Sequence, residues 1–127
     1  MIKINNKIFD NYEFKIEWKE FTIVSNNKKT IITPNLIFNT KDTFITIETT
    51  LSKIQLESIK PNIKTNIKEY INDISYEDKK GWISISDGDY NCYLTKLDSK
   101  KFHIDFNITS NDIDEEFNII IDENINL

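Results

Sequence analysis

The sequence contains no arginine, no alanine and a single valine, Val24. Without Arg there is no planar guanidinium to grip phosphate or carboxylate through two parallel bonds, so an anion site would have to rely on Lys. Cysteine and histidine occur once each, as Cys92 and His103. One cysteine excludes an internal disulfide, and one Cys with one His falls short of a conventional zinc ligand set. Two glycines leave no room for a glycine-rich phosphate loop or a nucleophile elbow, and neither motif is present. No apolar run approaches the roughly 18 residues needed to span a bilayer. Nor does a basic, apolar, small-residue order follow Met1, so the expected compartment is the cytoplasm. Arg, Ala and Val are encoded largely by GC-rich codons, and 25 Ile and 16 Asn stand in their place. That is base-composition bias before it is chemistry.

What is present suits strands. The 127 residues are 39% hydrophobic, 12% aromatic and 29% charged, enough apolar surface to offset ordering entropy in one domain spanning 1–127. Tyr12 to Trp18 alternates apolar with charged residues, the period of a half-buried strand. Asn5-Asn6-Lys7 predicts a tight hairpin between Ile2–Ile4 and Ile8–Phe9, because Asn tolerates positive φ. Asn26 to Lys29 predicts a second turn, between Phe21–Val24 and Thr30–Ile32, and Pro34 marks an edge or a bulge. Leu36–Phe38 and Phe44–Thr50 continue the meander. Trp82–Ser86, Tyr90–Leu97, Phe102–Ile108 and Phe117–Ile121 supply strands in the second half. Phe102, Ile104, Phe106 and Ile108 alternate cleanly with His103, Asp105 and Asn107.

Between Leu51 and Ile74 the period changes. Ile54, Ile59, Ile63, Ile67, Tyr70, Ile71 and Ile74 recur every three to five residues, which predicts helix. Ser52 is the candidate N-cap of a helix ending before Pro61, and Asn66 caps a second one through Asp73. Tyr76 to Gly81 reads as a charged loop. The expected fold is mainly β, with α+β the alternative class. It is an antiparallel β-sandwich, roll or incomplete barrel of about nine short strands, with two short helices around residues 52–73.

Candidate chemistry is sparse. Asp87-Gly88-Asp89 looks like a fragment of a calcium loop, but the further oxygens and terminal bidentate acid of such a loop are missing, and a hairpin turn explains it better. His103 and Asp105 share the polar face of one strand. With no nucleophile or second base placed beside them, a surface pair is the simpler account. Cys92, in phase with Tyr90 and Leu94, reads as a small core residue. Tyr12, Trp18, Tyr70, Tyr76, Trp82, Tyr90 and Tyr93 are mostly assigned to the core. No catalytic residue, metal site or cofactor is expected.

Charge is distributed unevenly. Residues 1–64 carry 10 Lys against 7 acids, whereas residues 65–127 carry 6 Lys against 14, for a net charge of −5 over the chain. From Asp105 onward there is no Lys, and Asp105, Asp112, Asp114, Glu115, Glu116, Asp122 and Glu123 follow one another. Such an end either solubilises the chain or docks a cationic partner. An acidic pI near 4.9 weighs against direct nucleic-acid binding. The expected function is a small non-catalytic protein that neutralises a basic partner, a toxin or nuclease. A bacterial toxin immunity protein (antitoxin) is preferred over a phage-encoded, anti-CRISPR-like inhibitor of a nucleic-acid-targeting defence complex. The expected contacts are Asp112, Asp114, Glu115 and Glu116, with Asp87 and Asp89 as further candidates. The alternative of another class is a structural or assembly component of a phage-like particle, pairing through exposed strand edges. No membrane association is expected, and the oligomeric state is left open.

Overall fold

An apolar residue at every second position gives a strand one greasy side, and that side must find a partner. A computed structural model shows how it does so; it describes residues 1–127 apart from Ser25, Ser86, Asp87 and residues 111–116. The strands among the described residues are β1 (Ile2–Ile4), β2 (Lys7–Phe9), β3 (Glu13–Ile23), β4 (Lys29–Asn39), β5 (Phe44–Thr49), β6 (Thr65–Asn66), β7 (Ile71–Asp78), β8 (Gly81–Ser84), β9 (Asp89–Lys96), β10 (Lys101–Ser110) and β11 (Phe117–Asn126). They form two antiparallel sheets, neither closed into a barrel. One runs β2-β1-β11-β10-β9-β6 and the other β3-β4-β5-β7-β8.

Both sheets contribute to one buried cluster. Phe102, Ile104, Phe106 and Ile108 of β10, with Ile119 and Ile121 of β11, Cys92 and Leu94 of β9 and Ile2 and Ile4 of β1, are joined there by Leu36, Phe38, Ile45, Ile47, Ile74 and Tyr76 of the second sheet. β-Branched Ile suits this role, since its stiff χ1 costs little in a strand and its methyls fill the pleat. The turns follow local chemistry. Asn5 sits at φ 54° between β1 and β2, and Asp98 accepts backbone N–H bonds from Lys100 and Lys101 between β9 and β10.

The helical region departs from expectation. Helix α1 (Lys53–Ser58) is capped as predicted: Gln55 N–H donates to Ser52 Oγ at 3.1 Å and Ser52 N–H donates to the Gln55 side chain at 2.8 Å. The second helix shrinks to a single 3₁₀ turn, Lys68–Tyr70, and Ile71 already begins a strand. The register explains the misreading. Thr49 lies opposite Ile71 while Glu48 lies opposite Asp73, so Asn72 is an extra residue in β7. This bulge turns Ile71 and Ile74, three apart, to the same buried side and imitates a helical period. The charged loop expected from Tyr76 is likewise strand as far as Asp78, with Tyr76 buried.

Two longer strands also replace four expected short ones. Tyr12–Trp18 and Phe21–Val24 merge into β3, and Thr30–Ile32 and Leu36–Phe38 into β4, paired over eleven consecutive positions. Pro34 stands where the second neighbour ends, because β5 pairs with β4 only from Asn35 onward. Truncating Phe106, fully buried at the centre of the cluster, should cost about 3–5 kcal/mol. Urea unfolding of Phe106→Ala measures this, and a loss below about 1 kcal/mol would contradict the packing described.

Candidate functional site

Asp87, Asp112, Asp114, Glu115 and Glu116 lie outside the described residues, so only their described flanks are placed. Those flanks meet. Asp89, exposed at the start of β9, is opposite Thr109 of β10, and Ser110 is opposite Phe117 across the β10–β11 ladder. A Cβ added to Gly88 would lie 2.2 Å from the Thr109 carbonyl oxygen, so this close approach of backbones tolerates only glycine. β8 and β9 belong to different sheets, so they do not pair as the two arms of a hairpin; Gly88 N–H donates to the Ile85 carbonyl at 3.0 Å, while Ser86 and Asp87 lie outside the described residues. Among the described residues no three His, Cys, Asp or Glu side chains group as metal ligands.

The outward face of the six-stranded sheet gathers most of the remaining polar chemistry. His103 does not pair with Asp105, two residues along its own strand. Its Nε2 lies 2.9 Å from Asp122 Oδ1, and its Nδ1 lies 2.6 Å from Asn124 Oδ1, both on β11. Asp105 instead meets Lys64 Nζ at 3.1 Å, and that ammonium also sits 4.4 Å above the Tyr93 ring. Asp105 and Asp122 are directly opposite in the ladder, a like-charge pair in which Asp105 meets the Lys64 ammonium and Asp122 contacts the His103 ring. Both His103 nitrogens are engaged by oxygens of β11. Nearby, the Asn118 amide donates to Asn107 Oδ1 at 2.8 Å and to Thr109 Oγ1 at 3.0 Å, joining β10 to β11 side by side.

Cys92 is fully buried, as its phase with Leu94 implies, and burial pushes its thiol up to about 12 against a smaller opposing pull from Lys68. The two tryptophans depart from expectation. Of the seven assigned mostly to the core, Tyr76 is buried and Tyr12, Tyr70 and Tyr90 are partly buried and packed against the core, while Trp18 and Trp82 are exposed. Both tryptophans sit on the edge strands of the five-stranded sheet, where half a ring stays wet. Sequence reading also missed Glu123. Counted with the solvated acids, it in fact occupies a core-facing position of β11, opposite Ile104. It is accommodated because the α-amino group of Met1 lies 2.9 Å from Oε2 and the Tyr12 hydroxyl donates to the same oxygen. The bond from the α-amino group holds the Glu123 carboxyl below its ordinary value. Its alternation with Ile121 and Ile125 was the available signal.

No helix among the described residues is long and apolar enough to cross a membrane. Comparison with protein-family models, curated proteins and solved structures finds no match.

Two predictions follow from these placements. The Cys92 thiol should resist a thiol reagent at neutral pH and react only as the chain unfolds, so labelling should track the urea unfolding curve; labelling of the native chain at the rate of a free thiol would contradict it. For Glu123, a folded value below the unfolded one means stability that is present above the ordinary carboxylate range and lost as pH falls through the lowered value. Glu123→Gln should therefore be less stable than wild type at pH 7, by up to about 1 kcal/mol for so accessible a pair, with the gap closing near pH 3. Urea melts at the two pH values check this, and a gap that is equal at both would count against it.

Proposed function

We propose that the chain is a non-catalytic protein-binding domain that neutralises a basic partner, in the manner of a toxin immunity protein. The observation that carries this reading is the meeting of Asp89, Thr109, Ser110 and Phe117 at one end of the six-stranded sheet. Asp87, Asp112, Asp114, Glu115 and Glu116 adjoin these residues in the sequence. Carboxylates concentrated in one region raise the encounter rate with a cationic protein and set its orientation. In this reading the two sheets act as a β-sandwich scaffold for the acidic end. The buried Cys92 thiol, pushed up to about 12, supports reading that cysteine as a packing group and not a nucleophile. An anti-CRISPR-like inhibitor of a nucleic-acid-targeting complex uses the same acidic end and differs only in its partner.

The test is affinity capture by the tagged chain at low salt. A single basic protein is expected at one-to-one stoichiometry, released as salt rises and inhibited in its own activity when bound. Changing Asp112 and Asp114 to Asn, and Glu115 and Glu116 to Gln, should weaken binding at least tenfold. Unchanged affinity in that variant, or capture only of acidic proteins, sinks the reading.

A second reading, self-assembly through strand edges, is favoured by one specific feature. β3 is an exposed eleven-residue edge strand carrying Trp18, Phe21 and Ile23 in solvent.

A further inference from the structure

Four strands end the two sheets, and three of them are short. β2 has three residues, β6 two and β8 four, and shortness is one way a sheet blunts its edge. β3 is different. It runs for eleven residues, hydrogen-bonds to β4 alone, and has neither a proline nor a register shift along that length. Its outer side is a continuous row of backbone donors and acceptors.

The side chains of β3 follow a pattern that its own sheet does not use. On the outward face Glu13, Lys15, Glu17 and Lys19 alternate in sign. The residues opposite them on β4 are Asn39, Ile37, Asn35 and Thr33, none of them charged. Only Lys19 reaches an acid within 4 Å among the described residues, Glu48 at 3.7 Å. On the inward face Phe14 and Ile16 are half-buried at the border of the core, and Trp18 is exposed. A second antiparallel strand beside β3 would answer both faces at once.

We propose that β3 pairs antiparallel with β3 of a second copy of this chain, about a two-fold axis at Ile16, joining the two five-stranded sheets into one. This deepens the self-assembly reading and is independent of the acidic end. The occupant is identified by charge complementarity. With Ile16 opposite itself, Glu13 faces Lys19 and Lys15 faces Glu17, each contact occurring twice by symmetry. The other face then sets Phe14 against Trp18, twice, and Ile16 against Ile16. Opposite-charge and aromatic cross-strand pairs favour a ladder, and like charges oppose it. Neighbouring registers fail on this count. Centring on Lys15 places Glu13 on Glu17 and Lys15 on itself; centring on Glu17 places Lys15 on Lys19 and Glu17 on itself. Centring on Trp18 keeps only the Glu17–Lys19 contacts and leaves Lys15 opposite Phe21. Axes between two residues are barred, because they would set an inward side chain beside an outward one.

Sedimentation velocity on the full chain, over a range of concentrations at low salt, tests the pairing. Wild type should pass from monomer to dimer with concentration. Lys15→Glu puts two Glu–Glu contacts in place of two Lys–Glu contacts and should raise the dissociation constant about tenfold or more. The double variant Lys15→Glu with Glu17→Lys restores opposite charges at this contact while keeping Glu13 opposite Lys19, and should return the constant to within a few-fold of wild type. Both positions are exposed, so circular dichroism and thermal melts should be unchanged. Dimerisation that is indifferent to Lys15→Glu, or that the double variant does not restore, overturns the β3 pairing while leaving self-assembly by another surface standing. A chain that stays monomeric at every soluble concentration overturns both.

Discussion

Ten consecutive residue pairs tie β10 to β11, and on the inward side that ladder is almost wholly Ile and Phe. The remainder of the structure is arranged around this slab. β1 adds to its one flank and β9 to its other, each with apolar residues in phase, and the second sheet supplies Leu36, Phe38, Ile45 and Ile47 to the same cluster. Burying such a surface is the main favourable term available to a chain whose single cysteine allows no internal disulfide. It also decides what can be offered to solvent. Because side chains alternate, fixing Phe102, Ile104 and Phe106 inward sets His103, Asp105 and Asn107 outward in a row. The polar row is thus a by-product of packing, and its mutual pairing with Asp122, Asn124 and Lys64 keeps it from being a set of free reactive groups.

Glu123 shows the same constraint from the other side. The phase of β11 turns this carboxylate toward the core side, where an unpaired charge would be costly. The neighbouring Met1 α-amino group and the Tyr12 hydroxyl remove that cost, and in doing so they tie the segment before β3 to the six-stranded sheet. A residue that composition counts as one more surface acid is in fact a link between the sheets. Counting charges along a chain does not separate the two cases, but phase within the strand does.

Strand identity was legible wherever a strand is buried on one face and wet on the other, as in β1, β9, β10 and β11. It failed in three places, each for a local reason. At Asn72 a bulge shifted the phase and made Ile71 and Ile74 look helical. In β3 the strand runs out beyond the core, so both faces are wet past Trp18; the alternation lapses at Lys19-Glu20 and one strand reads as two. Between β8 and β9 the turn chemistry of Gly88 was visible, but not that the chain changes sheet there, since pairing partners are a long-range property. The tryptophans were misplaced for a related reason. A large amphipathic ring is equally at home in a core or on an edge strand, and only the topology distinguishes the two.

The charge of the chain therefore divides into two arrangements with different physics. Asp112, Asp114, Glu115 and Glu116 are of one sign and close in sequence, so they repel one another and attract cations, a long-range and unspecific attraction that salt screens. The charges of β3 alternate, so their field cancels within a few residues and attracts nothing at a distance. At contact they discriminate between registers, because a shift of the two-fold centre by one residue loses every opposite-charge pair and sets like charges against one another. An edge strand whose purpose was only to repel other edges would be better served by charges of a single sign, and Lys alone would suffice. Alternation on so long an edge, beside a β4 that offers no charge to match it, is the pattern of a surface that tolerates one neighbour and excludes the rest.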